Sequence, residues 1–244
     1  MGREGIIAMI DLLWLDGTWS APGKRSAASE ALRLSLDSTR VRFRYVDYPA
    51  TFGPATGVGD ISPAESISAG MVGLTFAVAE SPNVCAVGGY SQGAMAAVAF
   101  AREILPQRTN LEVVAVGALG NPHQLTHSGR AGIAGPLSVP RPYFSVYAPF
   151  DPIADLPMGS PLRSVADLTE WMSIRSPEAG KRWAVDNVEK LAKQKAQAWW
   201  APWRWHDIEN AIRDATFYLG TKHTTDYVTG GYAVKLARMI EQVA

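Results

Sequence analysis

Residues 84–104, VCAVGGYSQGAMAAVAFAREI, constrain the chain more than any other stretch. An apolar run turns through Gly89-Tyr90-Ser91-Gln92-Gly93 and continues as an Ala-rich segment with helical composition. G-x-S-x-G between a strand and a helix is a nucleophile elbow. The serine is forced into a strained turn that lifts its hydroxyl clear of the sheet, and its neighbours must be small for the turn to close. The following helix N-terminus supplies free N–H groups and a positive dipole end. Ser91 is therefore the candidate nucleophile, and a helix-capping serine in a tight turn is the bland alternative.

An elbow implies a parallel sheet with helices on both faces, and the rest of the sequence agrees. IIAMIDLLWL (6–15) reads as a buried strand and SAASEALRLSLD as a helix. VRFRYVDYP alternates as a half-buried strand ending at Pro49. Ser62, Pro63 and Glu65 form a capping box with proline at the first helical position. NVCAVGGY is the strand before the elbow, and QGAMAAVAFAREIL a helix ended by Pro106. LEVVAVGALGNP and RPYFSVYAP read as two further buried strands. Strands alternating with helices predict a central, mainly parallel sheet covered on both faces, and with the elbow that sheet reads as an α/β-hydrolase.

Residues 160–215 break that rhythm. They contain no convincing strand, and six of the eight tryptophans fall there: Trp171, Trp183, Trp199, Trp200, Trp203 and Trp205. The expected organisation is a catalytic domain from 1–159 and 216–244, interrupted by a helical, Trp-rich insertion at 160–215. Its indoles suit either the core of that insertion or contact with lipid.

A serine hydroxyl needs a general base, and in this fold class the partners follow in the order Ser, Asp or Glu, His. His123 and His127, in GNPHQLTHSG, come too early. Their four-residue spacing in a Gly/Pro-rich loop does not make the helical pair that a zinc site would want. His206 lies within the insertion. His223, in GTKHTTDY before the last helix, is the candidate base. Asp151, just past a strand in SVYAPFDPIADLP, is the candidate acid, with Asp155 as runner-up. The oxyanion hole requires two backbone N–H groups. Gln92, after the nucleophile, supplies one, and Thr18 in the LDGTWS loop is the candidate for the other. No metal and no cofactor is expected.

Totals narrow the partners. Lys plus Arg and Asp plus Glu balance at 23 each, so no net field recruits nucleic acid or an anionic membrane. Cys85 is the sole cysteine, which excludes an internal disulfide. The first twenty residues carry Asp11 inside their apolar run and read as a strand rather than a signal peptide, and no run is long enough to span a bilayer. A monomer is the default expectation.

GGYSQGA, with YPA at 48–50, GNP at 120–122 and DPIA at 151–154, resembles the cutinase-like serine esterases. Within that group the early DGTW loop, YAPFD, and a histidine followed by a tyrosine before a terminal helix are most similar to the mycobacteriophage lysin B enzymes. Those enzymes carry a helical linker domain where this chain has 160–215. Secreted cutinases usually carry disulfides, and Ala154 stands here near the position of one such cysteine. The first loop has Asp16-Gly17 where the family often has His-Gly. The resemblance implies a serine esterase of phage lysis, made in the infected host cytoplasm and acting at the host envelope. The implied substrate is the ester between mycolic acids and arabinogalactan, a lipid ester. A cutinase or lipase acting on soluble esters or triglycerides is the second reading, and a non-catalytic envelope-binding protein the third.

Overall fold

The computed structural model describes residues 9–160, 162–170, 172–173, 175–192 and 221–244. Five parallel strands form the central sheet: β1 (Ile10–Leu15), β2 (Val41–Tyr45), β3 (Cys85–Tyr90), β4 (Val113–Leu119) and β6 (Tyr143–Val146), in the order β2-β1-β3-β4-β6. A two-residue antiparallel pair, β5 (Arg130–Ala131) with β7 (Leu156–Pro157), stands apart from it. Sequence reading gave no sign of that pair, because two residues carry no period.

Side chains alternate between the faces of the sheet. On one face Leu12 and Trp14 of β1 and Ala115 and Leu119 of β4 meet α1 (Ala27–Ser35) and the C-terminal α7 (Tyr232–Ile240). On the other, Leu13 and Leu15 of β1 and Val87 of β3 meet α2 (Pro63–Ala79) and α3 (Gln92–Ala99). The expected α/β architecture is thus observed, with both faces covered as a parallel sheet requires.

The capping box forms as expected. Glu65 N donates to Ser62 Oγ at 3.3 Å, and Ser62 N donates to Glu65 Oε2 at 3.1 Å. Two expectations are corrected. The helix after the elbow is α-helical only to Ala99, continues as a π-helical turn over Phe100–Ile104, and ends as a 3₁₀ turn at Leu105–Gln107. β6 is mostly half-buried rather than buried, because among the described residues it is an edge strand with β4 on one side only.

Within 160–215 the described residues form α4 (Leu162–Thr169) and α5 (Pro177–Ala192), and among them there is no strand. The guanidinium of the buried Arg163 ties α4 to the body. It donates to the carbonyls of Gly132 (2.6 Å), Ala131 (3.0 Å), Leu156 (2.8 Å) and Pro157 (3.0 Å). Ala64 N, in the first turn of α2, donates to Glu170 O at 3.0 Å. The side chains of the six tryptophans, and His206, lie outside the described residues. Among the described residues no helix is long and apolar enough to cross a membrane.

Candidate active site

Ser91 occupies the corner between β3 and α3 with φ 55° and ψ −119°, a conformation few non-glycine residues adopt. Its N–H donates to Leu119 O at 2.9 Å, while its carbonyl accepts from Ala94 N and Met95 N. Those bonds hold the strained residue from both sides. Gly93 lets α3 close onto β1: a Cβ there would lie 2.1 Å from Leu15 O.

His223 sits in the turn before α6 (Asp226–Thr229), and its Nε2 lies 2.8 Å from Ser91 Oγ. On the opposite ring edge Nδ1 lies 2.9 Å and 3.0 Å from the two carboxylate oxygens of Asp151. A carboxylate only accepts, so Nδ1 carries the proton and Nε2 is left to accept from the serine hydroxyl. The three side chains singled out in the sequence therefore meet, 60 to 132 positions apart along the chain, counting from Ser91 to Asp151 and to His223. Asp151 is fully buried, and Ile153 N also donates to its Oδ1 at 2.9 Å.

Asp155 does not reach the histidine. It is buried and accepts from Arg130 Nε at 2.7 Å and from Phe150 N at 2.6 Å, so it braces the loop that carries Asp151. His127 stacks on Tyr147 with its Nε2 3.2 Å from Asp155 Oδ1, whereas the Nδ1 of His123 bonds to Gly135 O. The two rings are engaged separately.

Thr18 and Gln92 both face the same cavity as Ser91. Among the described residues no hydrogen bond occupies the backbone N–H of either. The loop bearing Thr18 is anchored by Asp16, a buried carboxylate that accepts from Gly17 N (2.8 Å), Ser26 N (2.8 Å), Ser26 Oγ (2.5 Å) and Ser29 Oγ (2.7 Å). Trp19 N donates to Ala50 O at 2.9 Å, and Gln92 Nε2 donates to the adjacent Thr51 O at 2.8 Å. The side chain of Gln92 thus ties the elbow to the strap that holds the Thr18 loop. Around Ser91, three further non-glycine residues have left-handed backbones: Trp19 (φ 67°), Ala50 (φ 51°) and Phe150 (φ 63°). Trp19 and Phe150 are 50% and 55% exposed, large apolar side chains on the loops that carry Thr18 and Asp151.

Two tyrosines take roles that the sequence reading did not assign. Tyr227, fully buried in α6, donates its hydroxyl to Asp151 Oδ2 and accepts from Ala148 N at 3.3 Å. Burial and the neighbouring Asp151 carboxylate push the Tyr227 phenol well above its usual range, so it remains a donor. Tyr90, inside the elbow motif, donates its hydroxyl to the backbone carbonyl of His223 and stacks on the imidazole at 5.3 Å between ring centroids. Gly120, in GNP, makes room for this cluster: at φ 59°, a Cβ there would lie 2.9 Å from Tyr227 Oη. The only available sequence signal was a tyrosine four residues after the candidate base.

A cavity of about 740 Å³ opens beside Ser91. It is within the size range of small-molecule sites. Its walls are mostly apolar and come from Ile67 and Met71 of α2, Met95 of α3, Ile133 and Ile153 of the loops, and Leu162 of α4. The arrangement offers an activated hydroxyl, a proton acceptor, two amide donors and an apolar receptacle: the equipment for acyl transfer.

A family model described as Cutinase matches residues 17–156. The crystal structure of lysin B from Mycobacteriophage D29 superposes with a TM-score of 0.60 at 16% identity, covering 95% of this chain and 100% of that one. The catalytic core domain of acetyl xylan esterase from Trichoderma reesei gives a TM-score of 0.45 at 18% identity, covering 62% of this chain and 88% of that one. No curated protein sequence matches the chain.

Proposed function

The chain belongs to the cutinase family and has its α/β-hydrolase fold, and from that premise we propose that it is a serine esterase in which Ser91, His223 and Asp151 are the catalytic residues. The observation that carries this reading is the unbroken hydrogen-bonded path from Ser91 Oγ through the imidazole to the buried Asp151 carboxylate, at the edge of an apolar cavity.

Ser91 Oγ attacks the ester carbonyl carbon while His223 Nε2 takes its proton. The developing oxyanion accepts from the backbone N–H groups of Gln92 and Thr18, donors worth about 10²–10³ each in rate. As the intermediate collapses, the C–O bond to the alcohol breaks and His223 returns the proton to the departing oxygen. Water then adds to the acyl-enzyme by the same route, with His223 again as base, and frees the acid and Ser91. Asp151 holds the imidazole in the required tautomer and stabilises the imidazolium; it does not take the proton.

The substrate in this reading is the ester between mycolic acids and arabinogalactan, which sets the work of the enzyme at the mycobacterial envelope during phage lysis. The DGTW, GYSQGA, GNP and YAPFD segments and the chain-long match in fold to a lysin B support it. Residues 160–215 are then an insertion between 1–159 and 216–244, whose helix α4 helps to wall the cavity.

Two measurements test the proposal. Ser91→Ala should lower turnover of p-nitrophenyl butyrate by at least about 10³ and abolish fluorophosphonate labelling; retained turnover refutes the nucleophile. Incubation with mycolyl-arabinogalactan should release free mycolic acids. Cleavage of the butyrate ester without that release would leave a serine esterase with a different substrate, the soluble-ester or triglyceride reading.

A further inference from the structure

Tyr48 takes no part in the steps above, yet its hydroxyl lies against the backbone that leads to the first oxyanion donor. It donates to Asp16 O at 2.7 Å, and Gln92 Oε1 lies 3.3 Å from the same hydroxyl. Burial and the nearby Asp16 carboxylate push the Tyr48 phenol well above its usual range, so it keeps its proton and stays a donor. The segment from 46 to 51 grips 14–19 through three bonds. Val46 N donates to Trp14 O at 2.9 Å, Tyr48 Oη to Asp16 O, and Trp19 N to Ala50 O at 2.9 Å. Of these the middle bond alone comes from a side chain, so a substitution can remove it while the backbone contacts stay.

What that bond fixes follows from the peptide units on either side of Gly17. Unit 16–17 is held at both ends: its carbonyl oxygen by Tyr48, and its N–H by Asp16 Oδ1 at 2.8 Å. In unit 17–18 the oxygen, Gly17 O, accepts from Ser20 N at 3.2 Å. A trans peptide points its C=O and N–H in opposite directions. Anchoring Gly17 O at Ser20 therefore turns the Thr18 N–H the other way, and Thr18 lines the cavity with Ser91. The pivot between the two units is glycine, the residue whose backbone turns most freely. A Cβ there would lie 3.0 Å from Tyr90 Cδ1 and 3.4 Å from Ser91 Cβ, so the loop presses on the elbow where it is least stiff. With unit 16–17 released, unit 17–18 is free to flip and offer a carbonyl where the oxyanion forms.

We propose that Tyr48 is a positioning residue for the oxyanion hole. Its bond to Asp16 O holds the backbone that aims the Thr18 N–H, and its contact with Gln92 Oε1 ties that donor to the one on the elbow. This rests on the esterase reading above, in which Thr18 and Gln92 supply the two amides. Tyr48 acts through them and is not a catalytic residue.

The test compares p-nitrophenyl butyrate with its thiono analogue, in which C=S replaces C=O, in the wild type and in Tyr48→Phe. Sulfur accepts hydrogen bonds weakly, so the thiono ester gains little from the two amides. On the oxo ester Tyr48→Phe should lower kcat about tenfold, short of the about 10²–10³ of a donor removed outright, and on the thiono ester by less than about twofold. KM should not move, because Tyr48 is not part of the cavity wall. The oxo-to-thiono ratio is taken within one protein, so a general loss of folded enzyme cancels. Inhibition by butaneboronic acid, whose adduct on Ser91 is a tetrahedral anion, should weaken by the same tenfold or so. An unchanged kcat, or an equal loss on both esters, overturns the proposal. Should Tyr48→Phe not fold, Gln92→Leu keeps the elbow amide and removes the acceptor facing Tyr48; the same oxo-specific loss is expected, and the same two results overturn it. A wild type that neither turns over the esters nor binds the boronic acid would refute the esterase reading and this proposal with it. An active wild type beside an unaffected variant refutes the positioning role alone.

Discussion

Replacing Tyr227 by Phe removes one oxygen from the centre of the molecule and keeps the ring that packs there. Two bonds go with it: the donor to Asp151 Oδ2 and the acceptor for Ala148 N. A hydrogen bond to a charged group contributes about 1.5–3 kcal/mol, and a buried N–H left unpaired costs about 1–3 kcal/mol. The sum is about 3 kcal/mol allowing for partial relaxation, or a fall in Tm of roughly 6–12 °C for a chain of this size. The kinetic effect follows a different route. Tyr227 does not line the cavity, so KM should stay put. Asp151 keeps Ile153 N and the imidazole but loses the donor that fixes its second oxygen, so kcat should fall about tenfold. That is well short of the ~10⁴ lost when such an acid no longer holds the correct tautomer. The decisive assay is a double-mutant cycle on p-nitrophenyl butyrate. In an Asp151→Ala background, Tyr227→Phe should cost no further kcat, because its contribution passes through the carboxylate. An equal loss in both backgrounds, or an unchanged kcat in the single variant, would refute the positioning role.

The remaining predictions concern the scaffold. Gly93→Ala would drive a methyl group to 2.1 Å from Leu15 O and force α3 away from β1; it should abolish soluble expression or lower stability by more than about 3 kcal/mol in urea denaturation. Asp11 tests the acid limb of stability. Burial pushes its carboxyl up, but bonds from Arg42, Asn83 (3.0 Å) and Ser81 (2.7 Å), with the Arg42 charge, outweigh burial and hold it below the usual range. The folded pKa is thus below the unfolded one near 3.9, so the unfolded chain binds the extra proton, and the contribution present above that value is lost as pH falls through the folded pKa. The urea midpoints of wild type and Asp11→Asn should therefore converge as pH is lowered from about 6 toward 3, and a gap that stays constant would refute the assignment.

Elements set by local chemistry were legible in the sequence. The elbow could be read because strained backbone, tight turn and close helix packing each demand small residues within five positions. His223 and Asp151 followed from chain order and from their places after a strand and before the last helix. What stayed hidden depends on contacts across the chain. Tyr227 meets Asp151 over 76 positions, and nothing around either residue announces the meeting. Asp16 stood out in the sequence only as the residue where the family often has histidine, while three of the four bonds it accepts come from Ser26 and Ser29 at the start of α1. Asp151 and Asp155 share one turn and one residue type; the bond from Arg130, on a separate short strand, draws Asp155 away from His223. The edge position of β6 is a property of strand order, which hydrophobicity does not encode.

Four residues around Ser91, itself among them, hold backbone angles that only glycine takes without penalty: Trp19, Ala50, Ser91 and Phe150. Each costs of the order of 1–3 kcal/mol, against a net stability of about 5–15 kcal/mol for a typical domain. Warming therefore releases this rim before it dissolves the strands beneath, since local opening there recovers stored energy that opening elsewhere does not. The molecule should fall silent while still folded, and cooling should restore it, with the intact sheet acting as the mould into which the rim is pressed again.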